Sequence, residues 1–342
     1  MTPISIVICG PQYKEYSINY TINKINKIFA NSEIIISTND KKLISDVKEN
    51  TLVDKIIYCN PTGELPSLKF SDIQNINVNN NINKQIKCAY EGILVAKNEL
   101  VLRLRTDQII LDSSILELWT KINKIPKAHD KKGRIITSSI FSINPRFSER
   151  MAYHISDMLQ LGYKNDLLSY FSAPEYPFEY ATWYERNPHH KNSNEFERKF
   201  RSRFAVEQWL TLHYIFKEEK NFPISFHNEF NDKIITDFED IFIEYFIIAH
   251  PSDISLRASK FYKAESYYNT QCYSTKECLF LLARKHPEFT YMIDDYKHKG
   301  MNKKYFSILM PFIYAPLSQF LIKRMSNNQK NKIKEILNKL TK

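Results

Sequence analysis

Glycine is unusually scarce in this sequence. Only 6 of the 342 residues are glycine, whereas an average usage of about 7% would give about four times as many. Neither a G-x-G-x-x-G dinucleotide motif nor a G-x-x-x-x-G-K-S/T phosphate loop is present. Both motifs need glycine because the backbone amides must approach the phosphates closely. The scarcity argues against NAD-dependent dehydrogenases, P-loop nucleotidases and kinases, and leaves side chains or a metal ion to hold any phosphate.

The cysteines are odd in number, and Cys272 and Cys278 are too far apart for a C-x-x-C pair and have no matching partners, so neither a disulfide framework nor a zinc site is predicted. Most of the cysteines lie within apolar patterns, which predicts reduced core residues of a cytosolic protein. The five are Cys9, Cys59, Cys88, Cys272 and Cys278. The N-terminus begins directly as an apolar strand with no basic region before it, so no signal peptide is expected.

The positive charge is concentrated at the C-terminal end. From residue 301 onward nine Lys or Arg residues accompany one acid, which gives +8 of the total +10. The body is therefore nearly neutral, which argues against a general nucleic-acid-binding surface and against a nucleic-acid partner. An apolar run at 305–322 and a helical pattern at 330–340 with lysines around it predict a tail, 301–342, that binds an anionic membrane surface. The alternative is that the run packs onto the body.

Strands and helices alternate in residues 1–143, which predicts an α/β fold with a mostly parallel, Rossmann-like sheet. The predicted strands are residues 4–9, 33–37, 53–59, 100–104 and 134–140, and the predicted helices are residues 16–29, 41–49, 82–96 and 113–122. Residues 144–300 read as helices and aromatic-rich loops, with a helix at 204–216 and an apolar strand at 242–249. The loop at 172–194 is either a lid for a bound sugar or a self-packed surface loop.

The segment 81–107 carries the strongest functional signal. It reads as an amphipathic helix followed by a buried strand that ends at Arg105, Thr106 and Asp107. Ligands of open α/β sheets bind outside the carboxyl ends of the strands. Asp107 is therefore a candidate ligand for a divalent metal, Mn²⁺ or Mg²⁺, that would bridge a diphosphate. The alternative is that Asp107 only caps the following turn.

Four further positions are candidates, three of them acidic. Thr38 and Asp40 end the second strand, where a nucleoside would lie, although they are also typical of an ordinary strand exit. Glu207 lies near the start of a helix beside Trp209, where partial burial would raise its pKa toward the range of a general base. Alternatively, Glu207 only complements the helix dipole. Asp157 is the second choice for a base or an acceptor-binding residue, and its alternative role is a helix cap or surface residue.

Three blocks in order resemble the WavE lipopolysaccharide-synthesis family, over roughly residues 4–215. The first block comprises residues 81–86, with Lys84 where arginine is usual, and the Arg-Thr-Asp strand end. The second runs from His154 through Asp157 to Gly162 and Asp166, and the third is residues 205–208. The resemblance implies a bacterial surface-glycan glycosyltransferase with a nucleotide-sugar fold of the GT-A kind.

The resemblance also implies roles for particular residues. It suggests donor-binding roles for Asn83, Lys84, Gln85 and Arg105, and a late metal ligand and phosphate-binding residue in His250 and Lys260, although a lone histidine at a strand end is more often structural. GT-A enzymes usually carry two carboxylates around one residue in the metal-binding element. Here the first of these positions is Arg105, so a clamp of Arg and Lys side chains is the alternative to a metal.

The predicted function is transfer of a sugar from a nucleotide-sugar donor to a lipid-linked or oligosaccharide acceptor of lipopolysaccharide or capsule. The predicted place is the cytoplasm, peripheral on the inner membrane. Residues 1–143 would bind the donor, and residues 144–300 would form the acceptor side of the same catalytic domain. One alternative is a non-catalytic binding module with the same fold. Another is a sugar-phosphate nucleotidyltransferase, for which residues 9–12 are a poor substitute for the usual Gly-rich loop.

Overall fold

The structure is a computed structural model, which describes residues 3–70, 79–147, 149–195, 197–296 and 316–340. The strands are β1 (Ile4–Cys9), β2 (Glu33–Thr38), β3 (Lys55–Tyr58), β4 (Leu100–Arg105), β5 (Gln108–Ile110), β6 (Ile135–Ser138), β7 (Gln160–Tyr163), β8 (Phe246–Ala249) and β9 (Leu256–Ala258). The helices are α1 (Ile18–Ile28), α2 (Lys41–Val47), α3 (Ile82–Leu94), α4 (Ser114–Ile122), α5 (Lys164–Tyr170), α6 (Phe178–Ala181), α7 (Val206–Phe216), α8 (Asp232–Tyr245), α9 (Ser259–Gln271), α10 (Thr275–Lys285), α11 (Pro316–Arg324) and α12 (Asn327–Leu340).

The central sheet has seven strands in the order β3-β2-β1-β4-β7-β6-β8. Only β7 runs antiparallel to its neighbours, β4 and β6. Strands β1 and β2 are buried along their whole length, because helices cover both faces of such a sheet and its strands become continuous apolar runs. The predicted α/β fold with a mostly parallel sheet is confirmed.

The strand order reverses next to β1. The chain builds β1, β2 and β3 in one direction and then returns to place β4 on the other side of β1, where Cys9 lies opposite Arg105. Helix α3 makes this return and packs closely on the sheet. A Cβ atom at Gly92 would lie 2.5 Å from Val7 Cγ1 and 2.8 Å from Ser37 Cβ, so glycine permits this approach. The carboxyl ends of β1 and β4 thus form the crevice where α/β proteins bind ligands.

Two strands that the second half contributes to the central sheet differ from the sequence prediction. The predicted strand at 242–249 is wrong in its first half, because α8 continues to Tyr245 and only Phe246–Ala249 is a strand. Phe238 and Phe242 recur at helical spacing and are fully buried, so the apolar run concealed the boundary. Strand β7 was not predicted, since its four residues begin with a polar Gln160 and contain Gly162.

The two predicted regions 1–143 and 144–300 share one sheet, because β6 lies between β7 and β8. The apolar residues of the sheet and its covering helices form one continuous core. All five cysteines are free and buried, as predicted for core residues. Near the C-terminus, α11 and α12 confirm a helical segment, whereas residues 305–315 of the predicted apolar run lie outside the described residues. Within the described ranges, no helix is long and apolar enough to cross a membrane.

Candidate functional site

A cleft of about 260 Å³ lies outside the carboxyl end of β4. It is bounded by the first turn of α3, the first turn of α7 and the segment that leads into β7. The lining residues are Leu68, Asn79, Asn80, Asn81, Ile82, Gln85, Arg105, Phe141, Asp157, Met158, Val206 and Glu207. The cleft therefore brings together Gln85, Arg105, Asp157 and Glu207, four of the residues singled out from the sequence.

The loop after β1 is fixed against the end of β4. Gly10 has a φ of 131°, and a Cβ atom there would lie 2.8 Å from Thr106 Oγ1. The Thr106 hydroxyl donates a hydrogen bond of 2.7 Å to the carbonyl oxygen of Pro11. The Thr106 amide donates to the carbonyl oxygen of Cys9 at 3.1 Å. Glycine is required here by its backbone conformation and by this close contact.

Thr38 and Asp40 hold the same loop from the other side. The Thr38 hydroxyl donates to the Gly10 carbonyl at 2.7 Å. Asp40 caps α2, since one carboxylate oxygen accepts from the Lys42 amide at 2.8 Å, and the other accepts from the Gln12 amide at 2.8 Å. Both side chains make the ordinary strand-exit contacts that the sequence allowed as an alternative. They shape the crevice by positioning the loop at its edge.

Arg105 and Asp107 form a bidentate ion pair at the end of β4. Arg105 Nε and Nη2 lie 2.9 Å and 3.0 Å from the two carboxylate oxygens of Asp107, and Nη2 also donates to the Tyr13 hydroxyl at 3.2 Å. Burial lowers the pKa of Arg105, but the charge and hydrogen bonds of Asp107, together with the charges of Tyr13 and Asp157, raise the pKa above its ordinary value. A permanently charged guanidinium thus lines the cleft, held in place by a carboxylate that is 2% exposed.

The two candidate metal ligands, Asp107 and His250, contact protein groups. His250 is engaged through both ring nitrogens, with Ser252 Oγ at 2.6 Å from Nδ1 and Asn269 Oδ1 at 2.9 Å from Nε2. Both oxygens of Asp107 contact Arg105. In the part of the chain that the structure describes, no group of three or more His, Cys, Asp and Glu side chains is placed to hold a metal ion. The side chain of Lys260 lies outside the described residues.

The α3 candidates separate into structural and cleft residues. The side-chain amide of Asn83 accepts from the backbone N–H of Tyr176 at 2.7 Å and donates to its carbonyl at 3.3 Å, so it joins α3 to the aromatic loop. Lys84 pairs with Glu64 at 3.0 Å on the surface. Gln85 donates a hydrogen bond to the carboxylate of Asp157 in the cleft. Of these three, only Gln85 lines the cleft.

Asp157 is positioned by a buried arginine that the sequence analysis did not single out. Arg103, in the middle of β4, is 1% exposed. Its Nη1 donates to the backbone carbonyl of Asp157 and to Gln160 Oε1 at 3.3 Å. Burying a charged residue in an otherwise apolar strand costs free energy unless it is hydrogen-bonded. The single arginine within the apolar run of β4 was therefore the sequence feature that could have identified Arg103. Arg103 fixes the backbone that carries Asp157.

Glu207 lies in the first turn of α7, with its side chain 16% exposed. Its Oε2 is 3.4 Å from Nε2 of His154, a residue that the sequence analysis used only as part of a motif. The neighbouring Gln208 anchors the start of α7, since its side chain bonds to the backbone of Ala205, Ala152 and His227 at 3.1, 2.8 and 2.9 Å. Glu207 is therefore rigidly placed at the cleft, next to an imidazole.

Two bulky residues near this pair have left-handed backbone conformations. Phe141 has a φ of 65° and Tyr153 a φ of 62°. Such conformations cost non-glycine residues roughly 1–3 kcal/mol each and cluster at functional sites. The carbonyl oxygen of Phe141 lies 2.7 Å from Nδ1 of His154, and Tyr153 directly precedes that histidine. The strain is located where His154 is oriented toward Glu207.

The aromatic loop at 172–194 packs on itself and on α7. Tyr176 and Tyr180 make edge contacts with Trp209, at ring-centroid distances of 5.1 and 5.8 Å. The Trp209 indole donates to the carbonyl of Pro174 at 2.8 Å. The guanidinium of Arg203 lies 4.6 Å above the Tyr180 ring. These contacts match the self-packed loop, one of the two possibilities left open by the sequence.

His227 is fully buried beneath this loop and predicts a pH-dependent stability. Its ring stacks on Phe200 at 4.5 Å, and burial lowers its pKa to about 3. In the unfolded chain a histidine titrates near about 6.5, so the unfolded state binds more protons between these two values. The free energy of unfolding should therefore fall as the pH drops below about 6, by about 1.4 kcal/mol per pH unit from this residue.

Urea unfolding at pH 7, 6 and 5 checks this expectation. In the variant His227→Phe the free energy of unfolding should fall less steeply with decreasing pH, by about 1.4 kcal/mol per pH unit. This difference in slope is expected whatever the stability of the variant at pH 7. His129, whose side chain is 98% exposed, offers the control, and His129→Gln should keep the slope of the unchanged protein. Equal slopes in all three proteins would show that His227 does not carry the pH dependence.

The comparison with protein-family models agrees with the family expected from the motifs. The model of the WavE lipopolysaccharide synthesis family matches residues 4–310. Among solved structures, residues 1–349 of TarS from S. aureus in complex with UDP-GlcNAc match with 17% identity and a TM-score of 0.28, over 49% of this chain and 46% of that chain. The glycosyltransferase GlyE of Streptococcus pneumoniae TIGR4 matches with 11% identity and a TM-score of 0.32, over 64% and 44%.

Each of these matches covers less than half of the known structure. No curated protein sequence matches this chain. The family match, in contrast, extends over the whole central sheet and over the cleft with Arg105, Asp157 and Glu207. The resemblance seen in the sequence is confirmed, and the chain belongs to the WavE lipopolysaccharide synthesis family.

Proposed function

We propose that this protein is a glycosyltransferase that moves a sugar from a nucleotide-sugar donor to a bacterial surface glycan, lipopolysaccharide or capsule. The observation that carries the proposal is the cleft itself. At the carboxyl end of β4, next to the reversal of strand order, it places the guanidinium of Arg105 beside the carboxylates of Asp157 and Glu207. Glycosyl transfer needs a positive group for the departing diphosphate and a carboxylate for the acceptor hydroxyl. Family membership supports the same conclusion.

On the donor side of the reaction, Arg105 would bind the departing diphosphate. When the bond between the anomeric carbon and the diphosphate breaks, negative charge develops on the diphosphate oxygens. A fixed guanidinium in a partly buried cleft stabilises that charge, because it needs no reorganisation during the step. The pair with Asp107 and the hydrogen bond to Tyr13 provide the fixation. Asp107 could bind Mn²⁺ or Mg²⁺ only by giving up this pair, so we favour the side-chain clamp.

On the acceptor side of the reaction, Glu207 would act as the general base. Its carboxylate would accept the proton of the acceptor hydroxyl as that oxygen attacks the anomeric carbon. Asp157, held by Gln85 and by the Arg103 contact to its backbone, would orient the sugar through hydrogen bonds. The open sheet with its crevice between β1 and β4 supports a nucleotide-sugar fold of the GT-A kind.

The C-terminal helices support a peripheral position on the inner membrane. In α11, Leu317, Phe320 and Leu321 are exposed, and Lys323 and Arg324 follow them. Exposed apolar side chains next to basic ones are the pattern of a helix that lies at an anionic lipid surface. A lipid-linked acceptor would be presented at the same surface. Helix α12 contacts the body through Lys330 and Glu195, which are 3.9 Å apart.

A donor panel tests the proposal. The thermal stability of the full chain is measured with UDP-, GDP-, dTDP- and CMP-sugars, each with and without Mn²⁺. We expect one nucleotide class to stabilise the protein, by about 2.7 kcal/mol at about 100 times its Kd. The free sugar without nucleotide is the control and should give no shift, since it lacks the diphosphate that Arg105 would bind.

The same panel separates the alternatives. A donor that stabilises the protein but is neither hydrolysed nor transferred indicates a binding module. Formation of a nucleoside triphosphate from the donor and pyrophosphate indicates a nucleotidyltransferase. If no nucleotide sugar stabilises the protein and none is consumed in the presence of extracted lipopolysaccharide, the glycosyltransferase assignment is wrong.

A further inference from the structure

The contact between His154 and Glu207 has a definite proton requirement. A backbone carbonyl only accepts hydrogen bonds, so the 2.7 Å contact between His154 Nδ1 and the oxygen of Phe141 places a hydrogen on Nδ1. In a neutral imidazole Nε2 is then an acceptor, and it lies 3.4 Å from Glu207 Oε2. An ionised carboxylate is also an acceptor. Two lone pairs that face each other repel, whereas a proton between the two atoms makes the contact attractive.

Groups of both signs surround this pair. Burial lowers the pKa of His154 below its ordinary value, and the hydrogen bond to the Phe141 carbonyl and the negative charges of Glu149 and Asp157 offset only part of this effect. On the other side, Glu207 shares the cleft with the positive Arg105 and the negative Asp157. Burial and nearby charges, Glu207 among them, raise the pKa values of Tyr170 and Tyr267 well above the ordinary range, so both phenols remain neutral.

We propose that His154 and Glu207 share one proton, and that His154 is the positioning residue that sets the orientation and protonation of Glu207. This inference rests on the proposed glycosyltransferase function only where it concerns turnover. The shared proton itself is a property of the free protein. The left-handed backbone at Phe141, which presents the carbonyl, is part of the same arrangement.

The consequence for transfer follows from proton balance. Glu207 can act as a base only when the shared proton is on His154 or has left the pair. The acceptor oxygen then forms a bond to the anomeric carbon, and its proton moves to the Glu207 carboxylate. The bond from the anomeric carbon to the diphosphate breaks, and the diphosphate leaves with the electron pair. The decrease in activity at low pH, the acidic limb of the pH profile, therefore reports an apparent pKa of the His154–Glu207 pair and not that of one residue.

The shared proton is measured directly by NMR of the imidazole nitrogens during a pH titration of the full chain. In the unchanged protein we expect the His154 Nδ1 to stay protonated and Nε2 to titrate together with Glu207. In Glu207→Gln the neutral amide removes the negative partner, and the apparent pKa of His154 should fall by about one unit or more. An unchanged His154 titration in Glu207→Gln would overturn the proposal, whether or not the protein transfers sugars.

The role in turnover is measured with His154→Gln, whose amide can donate a hydrogen bond to Glu207 but does not gain or lose a proton in this pH range. We expect kcat/KM to fall about tenfold at pH 7 and the acidic limb of its pH profile to move to higher pH, because no imidazolium then favours the ionised form of Glu207. A residue that only supports packing would lower the activity at every pH without moving the limb. An unmoved limb in a folded His154→Gln protein would overturn this part.

His213→Gln is the matched control. His213 also contacts a backbone carbonyl through Nδ1, that of Lys217 at 3.0 Å, and it lies on the same helix as Glu207. Its ring packs against Trp209 and Phe222 instead of a carboxylate. The variant should leave both the His154 titration and the acidic limb in place. If the unchanged protein binds no nucleotide sugar, the proposed function is rejected, but the His154 titration measured by NMR still tests the shared proton.

Discussion

Replacing Glu207 with glutamine is expected to lower kcat by about 10² to 10⁴-fold while the donor affinity stays nearly unchanged. The amide has the size of the carboxylate but cannot accept the proton of the acceptor hydroxyl. The loss should therefore appear in the chemical step. Glu207 is at the first turn of α7, where a negative charge also stabilises the helix, so a loss of about 0.3 to 1 kcal/mol in unfolding free energy accompanies the change.

Steady-state transfer kinetics and donor-induced thermal shifts, measured on the same preparation, check this expectation. Glu64→Gln is the control, because Glu64 is an exposed carboxylate that pairs with Lys84 near the start of α3. It should change kcat little. If Glu207→Gln turns over normally, the role of base moves to Asp157, and Asp157→Asn should then show the large decrease. If neither variant loses activity, the cleft is not the site of transfer.

Much of the sheet could be predicted from the sequence, and the reason is physical. Strands such as Ile4–Cys9 are buried on both faces and read as short apolar runs, while helices such as Ile18–Ile28 show the 3.6-residue period. Both patterns are local. Strand β7 is short and partly polar, and its place between β4 and β6 depends on contacts with distant residues. No local pattern carries that information.

The candidate site was predictable to a similar degree. Arg105 and Asp157 could be placed because strand ends and motif blocks mark them, and Glu207 because it starts a helix. The spacing of residues along the sequence does not show which groups each side chain contacts. Asn83 bonds to the backbone of Tyr176, 93 positions away. His154 meets Glu207 where the backbone at Phe141 and Tyr153 adopts left-handed conformations, which sequence patterns do not indicate for such residues.

The second large effect is expected at Asp107. Asp107→Asn should raise the donor Kd by about 10- to 100-fold, because charge-assisted hydrogen bonds of about 1.5–3 kcal/mol that hold Arg105 are lost. Both carboxylate oxygens contact the guanidinium at 2.9 and 3.0 Å, and an amide can accept only one of these hydrogen bonds. The freed guanidinium no longer has a fixed position when the diphosphate binds. Isothermal titration with the donor identified in the panel measures the change.

Mn²⁺ dependence and a double-mutant cycle decide between the clamp and a metal at Asp107. If Asp107 acts by holding Arg105, the losses in Arg105→Gln and Asp107→Asn are strongly non-additive and remain the same with and without Mn²⁺. If Asp107 binds the metal, Asp107→Asn abolishes the effect of Mn²⁺ while Arg105→Gln preserves it. Asp112→Asn is the control, since Asp112 follows the same segment but contacts Ser114 and Ser255. A folded Asp107→Asn protein with unchanged donor affinity and turnover would reduce Asp107 to a turn residue, because its pair with Arg105 would then contribute to neither binding nor transfer.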